Sequence, residues 1–349
     1  MGRRSRTRRA AVARAGGRGP RDAAPPPAHP GYPGGSPPTC GSPSPMECAR
    51  TMNDREFVLT LSCPDGRGIV AAVANLLAGH GCTITESQQF GDPYTGRFFL
   101  RTQFEAEEGE GAAPIGEDRL REAFAGMAAG LPAPAGGGDP TVEWRLWNRT
   151  RRPRMLVMVS KFGHCLNDLL YRGRSGLLEA DIAAVVSNHP DLGFLADSYG
   201  VDFHHLPVSP ETKGEQERRV LELVDAYDVD LVVLARYMQV LSEELCTKMS
   251  GRIINIHHSF LPSFKGARPY HQAHARGVKL VGATAHYVTA DLDEGPIIEQ
   301  EVARVDHTHS PEQLTALGRD LESVALARAV NWHAQRRVLL NGSKTVVFR

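Results

Sequence analysis

Four short, almost wholly apolar runs, MLVMVS, IAAVVSN, VDLVVLARY and RIINIHH, recur between residues 155 and 258. A strand with one wet face alternates apolar and polar residues. A run that does not alternate, and is bounded by polar turns, is a strand covered on both faces. The stretches between the runs, CLNDLLYRGRSGLL, FLADSYG and EQERRVLELVDAYD, place apolar residues at helical spacing. DFHHLPV adds a shorter strand. Strands alternating with helices in this way specify a doubly wound, mostly parallel α/β sheet with right-handed crossovers.

The chain ahead of this region follows another rule. EFVLTLSCP alternates as a half-buried strand does, and DGRGIVAAVANLLAGHG follows with Ile69, Val70, Val73, Leu76 and Leu77 on one helical face. CTITESQQFGD and GRFFLRTQFEA read as a hairpin, EDRLREAFAGMAAGL as a helix and PTVEWRLWN as a closing strand. The order β-α-β-β-α-β is ferredoxin-like. AEEGEGAAPIGED, between strand and helix, reads as a surface loop. The sequence therefore divides into a disordered tail over 1–52, a ferredoxin-like α+β domain over 53–148, a basic linker, RTRRPR, over 149–154 and the α/β domain over 155–349.

The tail is rich in Pro, Gly, Ala and Ser and lacks the apolar area to offset chain entropy. Residues 1–50 carry nine Arg against Asp22 and Glu47, a surplus of seven positive charges in a chain of zero net charge. The Arg-rich start has the character of a transit peptide or a nucleic-acid tail; a start at Met46 or Met52 would instead leave it without function. The rest of the chain is mildly acidic, which argues against a nucleic-acid partner. Six widely spaced Cys without a CxxC pair read as reduced thiols. No apolar run reaches the roughly 20 residues a bilayer span needs. These features imply a cytoplasmic protein with no membrane association.

In open α/β sheets, ligands bind beyond the carboxyl ends of the strands. Asn255, His257 and His258 end one apolar run, Arg236 to Met238 end another, and Ser160 to His164 follow the first. Downstream, GATAHYV is a strand containing His286, ADLDEGP is an acidic loop with Asp291, Asp293 and Glu294, and PIIEQEVARV resumes extended structure. An Asn amide can donate to a developing oxyanion, a His can move a proton near neutral pH, and a carboxylate can orient that His. Taken singly, each group has a plainer role: a core histidine for His257, a turn former for Asp293.

The motifs INIHHSFLP, GARPYHQA and GVKLVGATAHYVTADLDEGPIIEQ resemble the formyltransferase fold of enzymes that use 10-formyltetrahydrofolate. The ferredoxin-like region, with its Asp-Gly-Arg-Gly turn, is similar to an ACT domain, a regulatory module that binds amino acids. Together, from that region to about Phe348, they resemble the formyltetrahydrofolate deformylases. The resemblance implies hydrolysis of 10-formyltetrahydrofolate to formate and tetrahydrofolate, balancing the one-carbon pool and supplying formate for purine synthesis. It implies Asn255, His257 and Asp293 as catalytic residues, and Met238, Gln239 and Leu241 with the backbone of the acidic loop as the folate pocket. No metal or cofactor is implied beyond the folate substrate. A homo-oligomer is implied, with glycine or methionine as the amino-acid effector; a plain oligomerisation role for the ferredoxin-like half stays open beside it.

Relatives of this fold pass the formyl group to an amine. The glycinamide ribonucleotide enzyme holds its phosphate on a Gly/Ser/Asn-rich loop after the first strand, whereas the corresponding SKFGHCLND carries Phe162 and Cys165. His258 stands where that enzyme usually has Pro. Phe162 and His258 are thus expected to fill the amine pocket and leave room for water, although Lys161 could still attract a phosphate. Two other readings remain. A metallohydrolase would use His257, His258, His271, His274 and His286, with His271 and His274 one turn apart on a helix. A non-catalytic amino-acid sensor would leave the second half inert.

Overall fold

The computed structural model describes residues 55–107, 115–131, 139–259, 261 and 269–349. The expected tail, most of the loop at 106–118 and the segment at 262–268 lie outside the described residues.

The second region forms a seven-stranded sheet. Its strands are β5 (Arg154–Val159), β6 (Asp181–Ser187), β7 (Asp202–His205), β8 (Leu231–Leu234), β9 (Ile253–His257), β10 (Leu280–Tyr287) and β11 (Ile297–Arg304). They lie in the order β11-β10-β9-β8-β5-β6-β7. Strands β5 to β9 pair in parallel, and β10 and β11 add antiparallel at one edge. The strand β5 shows why its run is unbroken. Met155, Val157 and Val159 face α3 (His164–Arg174) and the long C-terminal helix α8 (Pro311–Ala334). Leu156 and Met158 face the opposite layer, with Val220 and Val224 of α5 (Lys213–Ala226) and Leu245 of α6 (Glu243–Lys248). Each face has its own core, so truncating Leu156 to Ala would cost about 2–5 kcal/mol. The short helices α4 (Gly193–Tyr199) and α7 (Pro269–Arg276) complete the covering. No helix among the described residues is long and apolar enough to cross a membrane.

The first region contains β1 (Glu56–Pro64), α1 (Ile69–Gly79), β2 (Cys82–Asp92), β3 (Arg97–Ala106), α2 (Glu117–Ala129) and β4 (Glu143–Asn148), in the β-α-β-β-α-β order expected. The sheet runs β2-β3-β1-β4 and is antiparallel throughout. One face packs Leu59, Leu61, Leu100 and Phe104 on Val73 and Leu77 of α1 and Leu120 and Phe124 of α2. The other face is covered by a hairpin absent from the sequence reading, β12 (Val338–Asn341) and β13 (Lys344–Val347), through Phe99, Leu339 and Phe348. A charge cluster fastens this cover. Glu86 of β2 accepts from Arg101 at 2.8 Å and from Arg337 at 2.9 and 3.0 Å, and Arg101 also donates to the Gln335 carbonyl at 3.1 Å. Arg101 is 2 % exposed; so buried a cation needs this fixed carboxylate.

The helix α8 was not read from the sequence. It opens with a capping box, Ser310 accepting from the Gln313 amide and Gln313 answering on the Ser310 amide, with Pro311 at its first position.

Candidate active site

Asn255 and His257 are two apart on β9 and therefore point to the same face. In the antiparallel pairing of β9 with β10, His286 lies opposite Asn255 and Thr284 opposite His257. The register places an imidazole beside the amide, and the Asn255 Nδ2 amide lies 3.3 Å from His286 Nε2. His286 Nδ1 donates to the Tyr287 carbonyl at 2.8 Å. With that proton committed, Nε2 of the neutral ring accepts from Asn255. Burial keeps this histidine neutral, its pKa lowered despite the Tyr287 carbonyl and the nearby Asp293.

Asp293 reaches the same place from the loop after β10. Its Oδ2 is 3.3 Å from His257 Nδ1, and its Oδ1 is 3.8 Å from His286 Nε2. The bond from His257 holds the Asp293 carboxyl below the usual range, against a smaller opposing effect of burial. Two local features bring the loop in. Asp293 itself sits at φ 58°, in the left-handed region. Gly295 lies against β10 so closely that a Cβ would fall 1.8 Å from the Tyr287 carbonyl oxygen, and Tyr287 N donates to the Pro296 carbonyl at 2.9 Å. His257 Nε2 is buried and has no hydrogen-bond partner among the described residues. One ring nitrogen is thus held by a carboxylate.

Asn255, His257, His258, His286 and Asp293 line one cavity of about 470 Å³, within the size range of small-molecule sites. Met238, Gln239 and Leu241, expected from the sequence, line it too, as does the loop backbone from Thr289 to Glu294. The Met238 amide donates to Ser160 Oγ at 3.0 Å, which ties this wall to the end of β5. A larger cavity of about 820 Å³ lies beside β4, the linker and the end of α8, and contains none of these acid–base groups.

His258 stacks on His257, with ring centroids 4.8 Å apart and planes at 22°. Desolvation, then the charges of Arg236 and His257, push its pKa down to about 4. Phe162, expected to wall the cavity, does not line it. Its half-exposed ring lies 5.9 Å from the Arg236 guanidinium and 5.4 Å from that of Arg319.

Behind His258 is a group the sequence reading did not assemble. Arg236, just past β8, adopts φ 65°. Its Nε lies 3.4 Å from Glu322 Oε2 of α8, an ion pair without hydrogen-bond geometry. His164 Nε2 lies 2.7 Å from the same oxygen, and Tyr270 of α7 donates to Oε1 at 3.0 Å. Gly318, one turn before Glu322, makes room for Tyr270; a Cβ there would fall 2.0 Å from the ring. Burial alone would raise the Glu322 carboxyl, but the His164 bond and the Arg236 charge outweigh it and hold it low.

Of the histidines considered for a metal, His257, His258 and His286 line the cavity. His271 and His274 are exposed on α7. Among the described residues, His164, Cys165 and Glu322 have ligating atoms within 4.8 Å of one another. Burial keeps the Cys165 thiol protonated and the Arg236 charge sits beside Glu322, so this group does not suit a cation.

Comparison with known proteins gives this geometry its context. Residues 153–330 match the formyl transferase family. A formyltetrahydrofolate deformylase from Corynebacterium sp. (strain P-1) is 52% identical over 84% of this chain and 98% of its own length. The protein of that name from Bacillus subtilis (strain 168) is 45% identical over 86% and 96%. The crystal structure of a formyltetrahydrofolate deformylase from Burkholderia mallei superposes with a TM-score of 0.77, at 51% identity, covering 84% of this chain and all of that one. A glycinamide ribonucleotide transformylase from Symbiobacterium toebii is more distant, at 30% identity and a TM-score of 0.54 over 62% of this chain. By sequence over most of its length, and by fold, this chain belongs to the formyltetrahydrofolate deformylase family.

Proposed function

We propose that this protein hydrolyses 10-formyltetrahydrofolate to formate and tetrahydrofolate, balancing the one-carbon pool and supplying formate for purine synthesis. The observation that carries the reading is the His257–Asp293 pair, 3.3 Å apart beside Asn255, with His257 Nε2 buried at the cavity. Met238, Gln239, Leu241 and the loop backbone bind the folate and leave its formyl group at this point. Water adds to the formyl carbon, and the carbonyl oxygen becomes an oxyanion. Asn255, whose amide already gives one hydrogen to His286, has the other for that oxygen. Protonated His257 donates from Nε2, with Asp293 holding its Nδ1–H. The water gives one proton to the Asp293 carboxylate as it adds. The C–N bond then breaks, N10 takes that proton back from Asp293, and the product leaves as formate, its hydroxyl proton passing to solvent.

The ferredoxin-like region is proposed to be an ACT domain that binds an amino-acid effector, glycine or methionine, in a homo-oligomer. Its element order and its two edge strands, β2 and β4, support this reading. The deciding assay is formate release from 10-formyltetrahydrofolate by the purified protein, with and without each amino acid. Activity is expected in the wild type and lost in Asp293→Ala; no release by the wild type would sink the proposal.

A further inference from the structure

The cavity has two sides. The folate side is open, lined by exposed Met238 and Val240 and by the loop at Thr289–Glu294. The side toward α3 and α8 is filled by side chains. A formyl transferase needs that second side, because an amine must approach the formyl carbon opposite the folate. We infer that Arg236, clamped by Glu322, makes this site hydrolytic by occupying the approach of an amine acceptor. This rests on the hydrolytic reading above and names the residue that gives it its specificity.

Three observations carry the inference. The first is conformational. Arg236 sits at φ 65°, where a side chain is strained and glycine is at ease. Such strain persists only where the surroundings over-determine it, and it gathers at functional sites. A glycine would satisfy the turn after β8 equally well. The backbone therefore tolerates the strain for what the arginine side chain does.

The second is positional. Arg236 lines the same cavity as Asn255, His257 and His258, yet its side chain is only 12% exposed. The guanidinium lies under Phe162, which comes from the loop after β5. That loop is itself fastened to the turn after β8: Ser160 N donates to the Arg236 carbonyl at 3.2 Å, and the Met238 amide donates to Ser160 Oγ at 3.0 Å. The rim where a phosphorylated acceptor would be held is thus closed onto Arg236.

The third is the clamp. Glu322 is 1% exposed, and its carboxylate is shared among His164, Tyr270 and Arg236. Charge pairing this deep stabilises little by itself; removing one partner, however, leaves a buried charge. The network therefore fixes the position of Arg236 more than it strengthens the fold. Water passes such a plug, and an amine with its substituents does not. Glu322 is the positioning residue and Arg236 the specificity-determining one.

The test is a partition experiment with 10-formyltetrahydrofolate and glycinamide as a small primary amine. In transfer, the amine nitrogen forms the new C–N bond, the bond to N10 breaks, N10 takes a proton and the amine loses one. Formate and formylglycinamide are measured in the same reaction, against an enzyme-free control. A partly unfolded preparation lowers both products without changing their ratio. The wild type is expected to give almost only formate. Arg236→Gly opens the plug and removes the strain, and is expected to raise the amine share about tenfold, the equivalent of 1.4 kcal/mol. Glu322→Gln keeps a side chain that bonds His164 and Tyr270 but loosens Arg236, and is expected to shift the share the same way by a smaller factor. An unchanged share in both variants, with formate release continuing, overturns the inference and leaves the hydrolytic reading standing. An efficient transfer by the wild type also overturns it. No formate from the wild type removes the hydrolytic reading and the inference with it.

Discussion

The protein holds two histidine–carboxylate pairs within one neighbourhood, and they differ in everything but chemistry. His257 and Asp293 meet at 3.3 Å, with the Asp293 side chain 26% exposed, and His257 Nε2 has no hydrogen-bond partner among the described residues. His164 and Glu322 meet at 2.7 Å, with Glu322 2% exposed and its second oxygen taken by Tyr270. The first pair lines the cavity; the second is sealed behind it. The difference teaches that the same pair of groups can be exposed to a ligand or locked away from one. A sealed pair is scaffold, and one that lines a cavity is equipped to act.

The largest expected effect comes from breaking the sealed pair. Glu322→Ala strands Arg236 without its countercharge and should cost about 3–5 kcal/mol of stability, read as a fall in denaturation midpoint. Breaking the open pair's neighbourhood should instead leave the fold and damage turnover. Asn255→Ala removes an oxyanion donor worth roughly 2.7–4 kcal/mol, so kcat should fall by about 100-fold or more with KM little changed. If Asn255→Ala lowers stability as Glu322→Ala does, the contrast between the two sites fails. Next is Gly295→Ala, which forces the loop off the Tyr287 carbonyl and moves Asp293 away from His257. A displacement of about 1 Å should lower kcat/KM by about 100-fold, without any change in the reacting groups themselves.

The smallest effect is read by pH at His258, which feels the charges of both pairs. His258 titrates at about 4 in the folded protein, below the usual 6.5, because it is desolvated and faces Arg236 and His257, with Glu322 and Asp293 opposing. On acidification the unfolded chain takes up this proton first. The stability contributed by neutral His258 is therefore present above pH 6.5 and is lost between about 6.5 and 4. A slope on the order of 1 kcal/mol remains after solvent screening, and His258→Asn should flatten it in urea midpoints taken across that range.

Much of the fold was legible because burial on two faces writes itself into a strand. Met155 to Val159 and Leu231 to Leu234 carry apolar residues at every position because each face of the sheet has its own core. The helix α8 leaves a weaker mark. Its core positions are largely Ala and Gly, with Glu322 buried among them, so the apolar stripe is diluted. The Ser310-Pro311-Glu312-Gln313 start was the available signal. Asn255, His257 and Asp293 stand out through motif and resemblance, and the structure brings the three together. Arg236 was legible only as a strand-end residue and Glu322 not at all, since a left-handed backbone at Arg236 has no sequence signature without glycine, and 86 residues separate the pair. Phe162 was read as a cavity wall from its place after the first strand; its ring instead lies over Arg236.

The hairpin that covers Phe99 has a consequence for how the molecule is made. Phe99 and Arg101 leave the ribosome long before Leu339, Phe348 and Arg337, their eventual lid and charge partner. Through most of synthesis, the nascent first sheet has its helices on one face and an uncovered aromatic on the other. That face can be covered only once the closing strands have been made, so the first sheet reaches its final packing last.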